Sequence, residues 1–445
     1  MLRFIEKFTG LLTGPLPAGW PGVRIWISVF HGLGCMLLAA FASPGIAAIE
    51  WMMAFHPADY PGLKGIYRFL AELQTGIPPI QAVLELIAYD LTGSLAPVAS
   101  WLYRAGLAGV HLLSLHWVCR GKFRFVLCSG ASLVFLWASI LIHRQMPVSY
   151  DVFFPLLVLS YLTLAPARED GRCGGLQWST PRLLSAGLCL AVLELTRPFV
   201  MILLPLLLAG PLLAFRAARD WRKAAVFLLP LVILSGGWHV KMLVCHGQWV
   251  WTNQSGFNLL RAWESFGVDA PPFVDEEGNP ANPNLPRLMN TGHHTQMNRE
   301  VQQAVFHAIL SRPGEALGHA FNRLKIFLRP RTSIYHLTPV EGFGIQVYRV
   351  CVWFSVAWMA IQVLRLVFSL RGWESVRLLG LRENQLALFS LLSLLILALG
   401  EAGEEARLMV SLLPLLGSFP VFQPIQERIP PCGKQAPPAD GGHVD

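Results

Sequence analysis

The stretch LLSAGLCLAVLELTRPFVMILLPLLLAGPLLAF (Leu183–Phe215) decides how this chain is read. It is apolar almost throughout and is interrupted near its middle by Glu194-Leu195-Thr196-Arg197-Pro198. Its 33 residues are too many for one membrane crossing, which takes roughly 20. The residue before a proline avoids the α region, so a helix is expected to stop at or near Arg197. The result is two apolar segments, Leu183–Leu195 and Pro198–Phe215, whose facing ends share a charged break. Charge in such a place is costly and points to function. The plainer alternative is a helical hairpin whose charges rest in interfacial water.

Composition agrees with a membrane setting. Of 445 residues, 54% are hydrophobic and 14% charged. A soluble domain carries about 25% charged residues. The chain is therefore expected to be all-α, a polytopic bundle of about ten transmembrane helices. The spans are Ile25–Ile49, Leu95–Val118, Phe123–Ile142, Val152–Ala165, Leu183–Leu195, Pro198–Phe215, Ala224–Val244, Phe343–Leu370, Leu386–Leu399 and Leu408–Val421. The first span reads as a retained helix rather than a cleaved signal. The eight cysteines show no CxxC and no metal spacing, so no disulfide framework is implied.

The net charge of +8 reflects topology. Basic residues recur in four loops, around Arg120–Arg124, Arg168–Arg182, Arg216–Lys223 and Arg365–Arg382, all on one side in the ten-span arrangement. The positive-inside rule makes that side cytoplasmic, together with both termini. No basic helix or aromatic-interleaved strip suggests nucleic acid. One membrane domain is expected over residues 1–425, with a disordered Pro/Gly-rich cytoplasmic tail at 426–445.

The extracytoplasmic side then carries loops 50–94 and 241–342. In the first, Leu70, Leu73, Ile80, Val83, Leu86 and Ile87 suggest interfacial helices broken at Pro78-Pro79. In the second, Val268–Arg287 reads as irregular and Met297–Leu328 as helical with a break near Pro313. Leu317, Phe321, Leu324 and Leu328 fall on one helical face there, and Arg323, Lys325 and Arg329 are expected to snorkel.

The candidate chemistry lies on that side. Glu50 ends the first span, Asp59 sits in His56-Pro57-Ala58-Asp59-Tyr60, and Asp151 opens the fourth span. Two carboxylates from different loops suit proton abstraction from a hydroxyl, or oxygen ligation of a divalent cation. As ordinary features, Asp151 is a helix cap and Asp59 a solvated loop acid. Arg197 and Arg407 sit at external helix ends, where a guanidinium can grip a phosphate bidentately or pair with a local acid such as Glu194. No Walker, GxSxG or HExxH motif occurs.

The order of these features resembles the GT-C superfamily, the polytopic glycosyltransferases that use lipid-phosphate-linked sugars. The resemblance rests on the acids of the first external loop and on Tyr150-Asp151. It continues through Leu195-Thr196-Arg197-Pro198-Phe199, Gly256-Phe257-Asn258-Leu259, Arg312-Pro313 and Glu404-Glu405-Ala406-Arg407, spanning about residues 25 to 420. The paired acids frequent in that family's first loop are absent, since Asp59 lies between Ala58 and Tyr60. The resemblance implies inverting transfer of a sugar from a polyprenyl phosphate to a glycan, lipid or protein acceptor. In that scheme Asp59 is the general base with Glu50 its alternate, and Asp151 orients the acceptor or a metal. Arg197 and Arg407 neutralise the departing phosphate, with Glu194 and Asn258 beside the substrate. Membrane lipids surround the chain, in a bacterial inner (plasma) membrane. The competing readings are another lipid-linked-glycan polymerase or ligase and a secondary transporter.

Overall fold

The structure, a computed structural model, describes residues 21–40, 56–73, 79–95, 149–166, 178–197, 199–247, 255–281, 291–327 and 382–400, with isolated helical positions within 101–109 and 346–364. The expected spans Phe123–Ile142 and Leu408–Val421, most of Leu95–Val118 and Phe343–Leu370, the tail at 426–445, Glu50 and Arg407 lie outside these residues.

The fold is all-α among the described residues; an isolated bridge between Val274 and Pro280 accompanies the helices. The helices are α1 (Pro21–Ala40), α2 (Gly62–Glu72), α3 (Pro79–Thr92), α4 (Ser149–Leu164), α5 (Thr180–Glu194) and α6 (Val200–Ala218). They continue as α7 (Trp221–Leu231), α8 (Gly237–His246), α9 (Ser255–Trp263), α10 (Gly292–Ser311), α11 (Pro313–Phe327) and α12 (Arg382–Gly400). A π-helical turn, Val232–Gly236, joins α7 to α8 without a break. The combined Trp221–Cys245 is the one helix among the described residues long and apolar enough to cross a membrane. Phe154–Leu164, Val200–Arg216 and Leu388–Gly400 are shorter apolar stretches.

Local sequence explains the main boundaries. The apolar run does divide, although α5 already ends at Glu194, three residues before Arg197. Leu195 and Thr196 close its last turn by donating to the carbonyls of Ala191 and Leu193. The α6–α7 connection is tight: Arg219 takes a left-handed conformation (φ 53°). Asp220 then caps α7 by accepting from the Lys223 amide and pairing with its ammonium at 3.0 Å. So short a link makes α6 and α7 antiparallel neighbours. Residues 267–281 are irregular apart from the single bridge, and α10 gives way to α11 at Arg312-Pro313, both as the sequence suggests.

The main core joins α4, α5, α6, α7 and α12. Phe154 of α4 meets Phe199 edge-on at 5.4 Å and stacks with Phe389 of α12 at 5.9 Å. The buried Tyr161 hydroxyl donates to the Leu207 carbonyl at 2.6 Å. Gly187 sets the α5–α7 approach, because a Cβ there would lie 2.0 Å from the carbonyl oxygen of Phe227. Such contacts hold the helices by close packing.

On α2 and α3 the expected apolar row packs inward apart from Ile87: Leu73 and Leu86 are buried, Leu70, Ile80 and Val83 are partly buried against the same cluster, and Ala82 and Glu85 are buried beside them. On α11, Leu317 and Phe321 are 75% and 70% exposed, and Arg323 is buried instead of snorkelling. The apolar row was expected to share one face with Leu324, which packs inward; helix docking onto α12 decided the orientation, and hydrophobic spacing alone did not.

Candidate functional site

The break between α5 and α6 buries two charged residues. Glu194, the last residue of α5, is fully buried, and Arg197 is 8% exposed. The Glu194 Oε1 lies 3.0 Å from His239 Nε2 of α8, and His239 is 4% exposed. An ionised carboxylate can only accept, so Nε2 is the donor in that state. Removing either member of such a buried pair takes a buried partner from the other, which is strongly destabilising.

The π-helical turn explains how His239 reaches α5. Ala224, Phe227 and Leu231 form the buried stripe of α7. His239 follows Leu231 by eight residues. In an uninterrupted α-helix that offset leaves it about 80° away from Leu231. The i→i+5 bonding of a π turn absorbs one extra residue, which returns His239 to the stripe. Pro230, just before the turn, has no N–H to give and loosens the ladder there.

Further elements close on this end. Leu195 packs with Tyr60, Phe69, Leu73, Leu86, Trp238 and Met242, so α2 and α3 sit against the break and α8. Lys241 fastens them: its ammonium donates to the carbonyl of Leu73, the C-cap of α2, and lies 4.8 Å from the Trp238 ring centre. The start of α4 is at the same end, because Phe154 touches Phe199. Gln385 approaches Gly210, and Phe389 stacks on Phe154. α12 therefore runs opposite to α6, and its C-terminus points toward this end. There the Trp263 indole donates to the Leu399 carbonyl at 2.9 Å, docking α9.

The sequence-predicted residues distribute as follows. Glu194 and Arg197 are both in the break. Asp151 is in the first turn of α4, at the same end of the bundle. Asp59 ends the short 3₁₀ turn Pro57–Asp59 and is exposed, while its neighbour Tyr60 packs into the cluster with Leu195. Asn258 is half-buried on α9, where Phe257 packs in a separate cluster with Met297 and Val301. Among the described residues no three His, Cys, Asp or Glu side chains are grouped to share a metal ion.

Two residues escaped the sequence reading. His239 is embedded in the apolar span Ala224–Val244, and only its polarity there marks it. Glu85 is 1% exposed on the inward stripe of α3. Its helical spacing from Ala82 and Tyr89 was the available signal.

The surrounding network is an exposed polar one. The Tyr60 hydroxyl donates to Glu72 at 2.7 Å, and Arg68 pairs with the same carboxylate at 2.8 Å. Hydrogen bonds from Arg68 and then Tyr60 hold the Glu72 carboxyl below its usual range. Burial, reinforced by Glu72, pushes the Tyr60 phenol up to about 12.

Comparison with protein-family models, with curated proteins and with solved structures gave no match to this chain.

Proposed function

We propose that this chain is a multi-pass membrane glycosyltransferase that moves a sugar from a polyprenyl phosphate to an acceptor at the extracytoplasmic face. On this reading about ten helices cross a bacterial inner membrane with both termini in the cytoplasm. The observation that supports it best is the gathering, at one end of the bundle, of the Glu194–Arg197 break, the start of α4 with Asp151, and the loop helices α2 and α3 beside Asp59. Transfer needs an acid, a cation and an acceptor within a few ångströms, and those elements are far apart in sequence.

In the reaction, Asp59, or Glu50 in its place, takes the proton of the acceptor hydroxyl. The acceptor oxygen bonds to the anomeric carbon as the bond to the phosphate oxygen breaks. The electron pair leaves with the polyprenyl phosphate, and Arg197 and Arg407 offset its charge. Asp151 and Asn258 orient the acceptor. Glu194 steadies the break that carries Arg197. Sugar transfer in membranes from a radiolabelled polyprenyl-phosphate donor tests this. Wild type is expected to transfer label and Asp59→Asn to lose ~10²–10⁴-fold in turnover; a wild-type chain that transfers none removes the reading.

A secondary transporter is the second reading. The observation that favours it is the buried Glu194–His239 pair beside a π turn in the membrane-length helix, an arrangement suited to carrying a proton. Proton movement by the purified chain in liposomes, with no sugar transfer, selects this alternative.

A further inference from the structure

We infer that His239 is a positioning residue for the α5–α6 break, set in register by the π-helical turn Val232–Gly236 and acting on Arg197 through Glu194. The inference rests on the proposed reading of Arg197 as a phosphate-binding cation. It adds a residue and a device that the reading itself does not contain.

The argument starts from the shape of the break. α5 ends at Glu194, and only Leu195, Thr196, Arg197, Pro198 and Phe199 separate it from α6. Arg197 follows Glu194 by three residues, and its carbonyl accepts from the Val200 amide at 3.1 Å to open α6. The direction of the guanidinium therefore follows from where α5 stops. α5 is held laterally at Gly187 against Phe227, seven residues before Glu194. At its end one polar hold is Glu194 on His239 at 3.0 Å, with Leu195 in the same cluster as Trp238 and Met242.

All three of those α8 residues depend on the π turn. It behaves as a one-residue insertion that leaves the helix in phase on both sides. Ala224, Phe227 and Leu231 face α5 before it, and His239 faces Glu194 after it. Trp238 and Met242 then turn toward α2 and α3. A regular helix with the same residues rotates this set by about 100°. His239 then leaves Glu194, and a buried carboxylate loses its imidazole partner.

The consequence is an asymmetry between deletion and insertion. Deleting Ile233, an exposed residue of the turn, converts it to regular α-helix and keeps His239 in phase. Adding an alanine after Ser235 moves His239 by a further step of about 100°.

The test uses the full chain in detergent with two probes, a radiolabelled polyprenyl monophosphate and the corresponding polyprenol. The phosphate should bind more tightly than the alcohol to wild type. His239→Ala should weaken phosphate binding at least ~10-fold while polyprenol binding stays within ~2-fold. His239→Gln, which keeps a donor near Nε2, should recover most of the loss. The Ile233 deletion should bind like wild type and the alanine insertion like His239→Ala. Equal weakening of both lipids by His239→Ala, no rescue by glutamine, or unchanged phosphate binding each overturns the inference. A wild-type chain that binds both lipids alike overturns the phosphate reading of Arg197 instead. His239 is then judged by maleimide labelling of Arg197→Cys. Faster labelling when His239→Ala is added, slowed again by His239→Gln, upholds its positioning role, and an unchanged rate ends it.

Discussion

Glu194 and His239 stand 3.0 Å apart, carboxylate oxygen to imidazole Nε2, although 45 residues separate them in the chain. One closes the short helix before the break and the other lies in the membrane-length helix. Their meeting ties the α5–α6 break to α8 at the level where α2, α3 and α4 also arrive.

Gly187→Ala should destabilise the α5–α7 packing. The new methyl group meets the Phe227 carbonyl oxygen at 2.0 Å, backbone that cannot swing away. Overpacking of this kind costs about 1–3 kcal/mol. Thermal unfolding in detergent should show a lower midpoint for Gly187→Ala, whereas Ala at the exposed Leu188 should change it little. Equal midpoints for wild type and Gly187→Ala contradict this packing.

Lys241→Met should loosen the loop helices from α8. It keeps the apolar stem over Trp238 and removes the charge that donates to the Leu73 carbonyl. The expected cost is ~1–2 kcal/mol, felt locally. Hydrogen exchange should speed up across residues 62–73 and stay unchanged in α5. Uniform protection in both proteins counts against the tether.

The hold of Glu72 on α2 should weaken in acid. Its folded pKa is depressed below 4.5, so the unfolded state binds the proton more readily. The contribution is complete above about pH 4.5 and disappears as pH falls through the lower, folded value. Because Arg68 and Glu72 are largely solvated, the effect is small. Exchange in α2 should become faster on acidification after correction for intrinsic rates, and Glu72→Gln should abolish that dependence. A pH dependence that survives Glu72→Gln belongs to another group.

Opposite sides of a membrane should be reported by Glu277 and Arg222. Glu277 is exposed in the 267–281 segment, and Arg222 is exposed in the basic link before α7. Glu277→Cys should label from outside intact cells and Arg222→Cys only after permeabilisation. The reverse pattern inverts the proposed topology.

Arg197→Ala should lower transfer from the polyprenyl-phosphate donor while the chain stays inserted. Loss of a charged phosphate contact costs ~2–3 kcal/mol, and Arg197→Lys should recover only part because the planar fork is gone. Normal donor use by Arg197→Ala removes it from the site.

Helix type and the breaks between helices were already legible in the sequence. The apolar run Leu183–Phe215 divides near Pro198, Pro313 opens a new helix, and residues 268–281 are irregular apart from one bridge. These features come from steric and hydrogen-bonding limits acting within a few residues, so the local sequence suffices. Tertiary structure decided that Glu194 Oε1 meets His239, 45 residues further along the chain. That choice depends on the close approach at Gly187 and on one extra residue in the π turn. The turn shifts the helix phase by about 100°, which hydrophobic spacing does not register. The inward face of α11 followed the same rule. Arg323 is buried, and Leu317 and Phe321 are not, because docking onto α12 sets the rotation of a helix whose own pattern is only weakly amphipathic.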